Sequence, residues 1–423
     1  MLDKPNYIEL YSREKKVLHI IAGVEARGLR WDIKKAQYYI KLLNAKAKIC
    51  LAKMTAIAGE HNPASPKQVL TILLSLGLTR KQLTEKGALT TGSNTLKQAR
   101  KELPEKHKAK TYIEALLNYR SYTKTVGTYL VPLTEKAMRQ KGIVYCQINP
   151  ADTITGRMAS REPNLQNMPK NIKNDRANPV RSCFICRDGY TNYYFDYSQM
   201  EMAIFGVYAN EQRILTAYET GEDLHQYTAS LVYRCRTSQV TDQMRSSCKA
   251  VNFGIIYGEG IKALAKGMNR SISDAMAFMK NYHNTFPSIE RFQWECKEQL
   301  QTYGYVEDWF GKRYHVPVGQ AYKAVNCLVQ GTCAQIFKQA LINVNAQSQS
   351  NIYDIFDDTN IILPVHDEIQ IEARLKPWHE EEFVRRTCIC MTDIEQVTSR
   401  GLTLKVDACK STTNWAEKEK IKL

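Results

Sequence analysis

Apolar positions along the chain fall mostly at helical spacing and change to strand-like runs in only a few places. Ala36–Ala56 is rich in Lys, Ala and Leu, and Thr111–Met138 carries apolar residues at helical intervals. Ser65-Pro66, just before KQVLTILLSLGL, predicts a helix start with Pro at the first position. Further helical patterns cover Ser198–Thr220, Asp242–Tyr257, Ser273–Asn281 and Val325–Gln347. Thr191–Asp196 (TNYYFD) and Asn360–Ala373 are instead β-prone. Gly142 and Pro150 mark a change of texture between a helical first third and a mixed remainder. Strands among helix clusters predict an α+β chain, and no internal repeat or low-complexity linker interrupts it.

With 423 residues, 43% of them hydrophobic, the chain can bury a large core in two or three domains or subdomains. No run of eighteen apolar residues predicts a transmembrane helix. The first residues carry Asp3, Glu9 and Glu14, unlike a secretory signal or an acid-poor transit peptide. Twelve cysteines lack a framework. Cys183-x-x-Cys186 reads as a strand with two buried thiols, the alternative being half of a metal site. Free thiols fit a reducing compartment, so an intracellular, cytoplasmic location is expected.

Charge changes the picture more. The net charge is +16, and positions 1–140 hold 26 basic and 11 acidic residues, a surplus of 15. Such asymmetry predicts a segment lying against a polyanion, nucleic acid before lipid, because Tyr, Gln and Thr interleave the charges. A plainly solvated basic surface is the alternative, and no membrane partner is expected.

Two carboxylates end hydrophobic strands: Asp196 in YYFDYSQMEM and Asp367 in IILPVHDEIQIEA. Brought together they would hold two Mg²⁺ ions about 3.5–4 Å apart. Singly, such residues are more often structural, and spacing alone does not bring them together. Arg245-x3-Lys249-x3-Phe253-x3-Tyr257 forms a slanted helical stripe, cations leading and aromatics following. That order suits a triphosphate at one end and a base at the other. It equally describes an amphipathic helix with core aromatics and solvated cations. His225 could donate to a phosphate, and Arg157 follows Gly156 on a predicted tight turn.

In this order the fragments resemble the polymerase region of family A DNA polymerases, the bacterial DNA polymerase I and phage polymerase group. TGRMASREPNLQNMP, FDYSQMEM, RSSCKAVNFGIIYG, VHDE and NCLVQGTCAQIFKQA resemble that family's successive motifs. FPSIERF, GYVEDWFGKRYHVP, NPASPKQVL and LLNYRSYTKTVGTYL extend the likeness from about residue 20 onward.

The resemblance implies a right hand with helical thumb and fingers and an antiparallel-sheet palm. Residues 1–145 would be the basic thumb, 146–210 the first part of the palm, 211–303 the fingers and 304–423 the second part of the palm. The implied reaction is template-directed addition of deoxynucleotides to a primer 3′ end. Asp196 and Asp367, with the Tyr197 carbonyl, would bind two Mg²⁺ ions, Mn²⁺ being able to substitute. Arg245, Lys249 and His225 would hold the triphosphate, and Lys249 would also give a proton to pyrophosphate. Phe253 and Tyr257 would meet the incoming nucleotide, with Gln199 nearby and Glu368 supporting the metals. Lys124, Arg157, Asn164, Gln166, Asn167, Asn326, Gln330 and His366 would contact primer–template DNA, largely from the minor groove. Glu201 would crowd a ribose 2′-hydroxyl and so select dNTPs.

Several positions depart from the family pattern. Met200, Met202 and Ala203 replace the usual Ile, Leu and Arg, Asn171 and Tyr322 stand where a basic residue is common, and Pro317–Asn326 is short. Thumb-like sequence begins almost at once, so no proofreading or 5′-nuclease domain is expected here. A separate exonuclease or processivity factor and a phage or mobile-element origin would fit. The rival readings are a catalytically inactive DNA-binding relative, a single-subunit RNA polymerase, which Glu201 argues against, and a reverse transcriptase. For the last, YDIFDD at 353–358 is more simply a polar loop.

Overall fold

The computed structural model describes residues 7–85, 87–169, 178–256, 259–268, 270–349 and 358–422. At its centre is a five-stranded, wholly antiparallel sheet. Its strands run in the order Thr359–Val365, Glu368–Ala373, Thr191–Tyr197, Val406–Ser411, Glu419–Lys420. The central strand is TNYYFDY, whose alternation serves two cores at once. Tyr193, Phe195 and Tyr197 enter one apolar cluster, and Tyr194 enters another on the opposite face. A third cluster, built from residues between Cys50 and Leu116, sits apart in the helices Ile33–Ala58, Pro66–Ser75, Ser93–Glu102 and Lys108–Lys124.

Three predicted elements differ in form. The β-prone run Asn360–Ala373 is a hairpin, and Asp367, expected to end a strand, lies with His366 in its two-residue turn. β-propensity on both sides of a polar pair does not show where the chain reverses. Ser198–Thr220 divides into helices Met200–Tyr208 and Gln212–Thr220. The break falls at Asn210, whose φ is 50°, and Glu211 caps the second helix by accepting from the Arg213 N–H. Thr111–Met138 is helical throughout, but Thr125–Leu130 widens to a π-turn immediately before Val131-Pro132. Proline has no N–H to give and its ring crowds the preceding turn, so the ladder is altered there. Ser65 does cap its helix as expected, accepting from the Gln68 N–H with Pro66 next.

The long helix Ala324–Gln349 meets the helix Tyr7–Arg27 through buried polar contacts. Arg13 donates to Gln335 (3.1 Å) and Gln339 (3.3 Å), and its guanidinium lies 4.5 Å from the Phe310 ring centre. Lys338, fully buried, donates to Glu14 at 2.5 Å. On another face of the long helix Gly331 admits the Tyr314 phenol, which donates to buried Asp308 at 2.7 Å. A Cβ at 331 would clash with that ring.

All twelve cysteines are free. Cys183 and Cys186 are buried as expected, but in a 3₁₀ turn and beside isolated bridges rather than in a continuous strand. Their thiols donate to the Pro179 and Ser411 carbonyls, and burial raises both pKa values. No helix among the described residues is long and apolar enough to cross a membrane.

Candidate active site

Asp196 is the next-to-last residue of the central strand. Its cross-strand partners are Glu368 on one side and Asp407 on the other, so three carboxylates stand in a row on one face. Asp367 precedes Glu368 in the hairpin turn, and its carbonyl accepts from the Tyr197 N–H at 3.3 Å. Of the two turn residues only His366 has positive φ, 57°, the sign pattern of a type II′ turn. Glycine normally takes that position, so a histidine there holds the backbone in a conformation it disfavours.

The row is not uniform electrically. Lys418 pairs with Glu368 at 2.5 Å, and Lys420 pairs with Asp407 at 2.6 Å. No cation makes an ion pair with Asp196 or Asp367 among the described residues. Instead these two carboxyls lie within hydrogen-bonding reach of each other. Asp196 is partly open to solvent, and desolvation, Asp367 and Glu368 push its pKa up to about 7. Asp367 is raised too, by burial first, against the pull of Arg157 and His366. A pair of close oxygen donors that resist joint ionisation fits a divalent cation of the Mg²⁺ type. Among the described residues no cluster of three or more ligating side chains is preformed. Mg²⁺ commonly takes one or two carboxylates and completes its shell with phosphate and water.

A second group sits on the helices Leu224–Tyr233 and Asp242–Ile256. Asp223 caps the first helix, accepting from the His225 and Gln226 N–H groups, and also binds Arg245 at 2.5 and 2.9 Å. Burial works to raise the Asp223 pKa, but the bonds from Arg245 and Gln226 prevail and hold it low. Lys249 is exposed one turn beyond Arg245, and its Nζ is 5.9 Å from the Phe253 ring centre. The His225 ring lies 5.2 Å from that of Phe253. Gln199, in the left-handed region with φ 50°, accepts from the Leu224 N–H at 3.3 Å. The residue three after Asp196 thereby ties the sheet to the helix that carries His225. Tyr257 lies outside the described residues.

Near Asp367, Arg157 forms an ion pair with Glu201. Residues expected to meet a primer end and a sugar are thus in contact with each other. A model of DNA polymerase family A matches residues 34–417. The chain belongs to DNA polymerase family A.

Among family A relatives it is similar to DNA polymerase I of Caldicellulosiruptor bescii, 31% identical over 96% of this chain and 47% of that one. The thermostable DNA polymerase I of Thermus aquaticus is 29% identical over 88% and 44%. The chain spans about half the length of the curated relatives it matches. A solved structure, the POL domain of Pol1 from M. smegmatis complexed with DNA primer-template and dNTP, is similar at a TM-score of 0.82. That likeness holds at 25% identity over 95% of this chain and 70% of the other. A right-handed polymerase architecture, α+β with an antiparallel sheet, follows from these matches.

The other residues expected in this family A site are scattered more widely. Asn164 and Asn167 are exposed, Asn164 accepting from the Asn167 N–H at 3.1 Å. Gln330 is half-buried on the long helix, and Asn326 there holds a buried Oδ1 with no partner among the described residues. Lys124 is exposed in a cleft with Lys97, Arg100, Lys101 and Arg120, far along the chain from the carboxylates. Gln166 departs from expectation: it is buried, accepts from the Ser160 N–H and donates to the Pro364 carbonyl. It braces the hairpin and does not present its amide at a surface. The Tyr197 side chain is likewise internal, donating to the Met391 carbonyl.

Sequence reasoning missed Asp407 and Asp223. Asp407 was detectable as another carboxylate in a β-prone run, LKVDACK. Asp223 stood two residues before His225 with the position and type of an N-cap. Ala203, where the family pattern has Arg, is fully buried, which leaves no room for a charged side chain without rearrangement. Tyr322 is exposed, and Asn171 lies outside the described residues.

Proposed function

We propose that the chain is a template-directed DNA polymerase, extending a primer 3′ end with dNTPs by two-metal-ion nucleotidyl transfer. One observation carries this reading: Asp196 and Asp367, about 170 residues apart in sequence, come together at one end of the central sheet, where Asp367 helps to raise the Asp196 pKa. Two Mg²⁺ ions held there would activate the primer hydroxyl and offset charge on the departing pyrophosphate. Asp196, Asp367 and the Tyr197 carbonyl would be the ligands, and Glu368, already paired with Lys418, would set the field around them.

Arg245, Lys249 and His225 converge as a cationic and polar wall for a triphosphate. Asp223 fixes the direction of the Arg245 guanidinium, leaving its remaining donors for phosphate oxygens. Lys249, exposed beside Phe253, is the group placed to give a proton to pyrophosphate. Phe253 packs on the sugar. Glu201 closes the floor where a ribose 2′-hydroxyl would sit. The basic cleft around Lys124 supports a phosphate-tracking grip on primer–template duplex, without sequence reading. Asn164, Asn167, Asn326, Gln330, Arg157 and His366 complete the primer–template contacts.

Primer extension with Mg²⁺ tests this, using dNTPs or rNTPs and the wild type, Asp196→Ala and Glu201→Ala. Extension with dNTPs alone is expected, with a loss of about a thousandfold or more in the first variant. Glu201→Ala should relax sugar selection by about tenfold or more. Undiminished extension by Asp196→Ala would remove the basis of the reading.

A further inference from the structure

Three helices, Leu224–Tyr233, Asp242–Ile256 and Ile272–Thr285, meet around Asn252, which is fully buried. Its Nδ2 stands 3.1 Å from His225 Nδ1 and 3.3 Å from Thr228 Oγ1, and its Oδ1 is 3.0 Å from the Tyr282 hydroxyl. The proton supply fixes these directions. Thr228 has a single hydroxyl proton, and it goes to the Leu224 carbonyl at 2.6 Å. Thr228 can therefore only accept from Asn252, which turns the amide nitrogen, not the oxygen, toward Thr228 and His225. A flipped amide would set its oxygen against a threonine whose proton is already used. Tyr282, also buried, then donates to the amide oxygen from the other side.

With Asn252 donating, His225 Nδ1 must accept, and the ring proton resides on Nε2. Nε2 has no acceptor among the described residues. The charged groups around the ring are Asp223 at its own helix start and Arg245 and Lys249 on the next helix. Burial, aided by the two cations and opposed by Asp223, lowers the His225 pKa to about 4.

We propose that Asn252, oriented by Thr228 and Tyr282, is a positioning residue that locks His225 as the neutral Nε2–H tautomer. The imidazole thus offers a single fixed donor to an anionic oxygen of the substrate. That the anion is a dNTP phosphate rests on the polymerase reading; the tautomer does not.

Side-chain ¹⁵N NMR of the full chain labelled at histidine, with His225→Ala for assignment, measures the tautomer directly. His225 should show a protonated Nε2 and an unprotonated Nδ1 throughout pH 5.5–8. Asn252→Leu should mix the tautomers, and Tyr282→Phe, a milder change in packing, should weaken the lock. In primer extension Asn252→Leu should raise KM for dNTP by about tenfold, with kcat changing less. Added to His225→Ala, it should cost less than about a further twofold, since a residue acting through His225 has nothing left to position. A wild-type Nδ1–H form, a titration near the ordinary histidine value, or an equal loss in the His225→Ala background would overturn the proposal. A wild type that extends no primer would defeat the polymerase reading while leaving the NMR result to decide the tautomer.

Discussion

At the scale of single residues, the site is held in tension by its own charges. Asp196 has a pKa of about 7 in the folded protein, well above an ordinary carboxylate, because it is desolvated and faces Asp367 and Glu368. The folded state therefore keeps a proton that the unfolded chain has released. This contribution to stability is complete below about pH 4 and is lost as pH rises through about 7. Metal-free protein should accordingly melt at a lower temperature at pH 8 than at pH 6, and Mg²⁺ should restore much of the difference. Asp196→Asn should raise the metal-free melting temperature at pH 8 by about 1–3 °C and remove most of the Mg²⁺ response. A scanning calorimeter run with and without EDTA reads both effects. A carboxylate pair that merely served packing would show no such dependence on the cation.

Residue chemistry was also the most legible part of the sequence. Asp196, Asp367, Arg245, Lys249, His225 and Phe253 stood out by type and motif, and the fold brings the first two together and gathers the other four on two neighbouring helices. Gln166 did not, because a glutamine in a loop reads the same whether its amide faces a groove or a neighbouring carbonyl. Asn252 was hidden for a related reason. Its three hydrogen bonds join helices whose crossing no local periodicity records.

Among elements, the decisive ones are the hairpin Thr359–Ala373 and the long helix Ala324–Gln349. Their packing makes two sharp demands. Gly331→Ala must displace the Tyr314 ring and with it the bond to Asp308, for a loss of about 1–3 kcal/mol in urea unfolding. Glu14→Gln would leave the Lys338 ammonium buried without its partner, a loss of about 3–5 kcal/mol. Adding Lys338→Met should recover most of that loss, because the pair's desolvation disappears with its charges. Failure of the double variant to recover would mean that Glu14 acts through packing alone. From the sequence, helices were recognisable by their period, but their interruptions were not. The break at Asn210 and the π-turn before Pro132 depend on how neighbouring turns are satisfied, a matter of tertiary packing rather than of propensity.

For the whole molecule, the charge surplus of the first 140 residues finds a place in the separate helical cluster and its Lys124 cleft. If that cleft tracks duplex phosphates, Lys124→Ala should weaken DNA binding about equally for unrelated sequences. The slope of log K against log salt should shrink by about 0.9 for each phosphate that is no longer neutralised. Fluorescence anisotropy across a salt series measures this, and an unchanged slope would place the duplex elsewhere. Composition indicated a polyanion partner, but only the fold gathers Lys97, Arg100, Lys101 and Lys124 round one cleft, since they come from two separate helices.

The position of Asp196 on the central strand also bears on how the molecule is made. Residues 191–197 find their two hydrogen-bonding neighbours only in 368–373 and 406–411. During synthesis this aromatic segment must leave the ribosome long before either neighbour exists. It remains an open-edged, sticky ribbon until the last strands arrive, and pairings so distant in sequence close slowly. A nascent chain halted near residue 400 would already contain both Asp196 and Asp367 yet lack one of the two neighbouring strands that hold Asp196 in register.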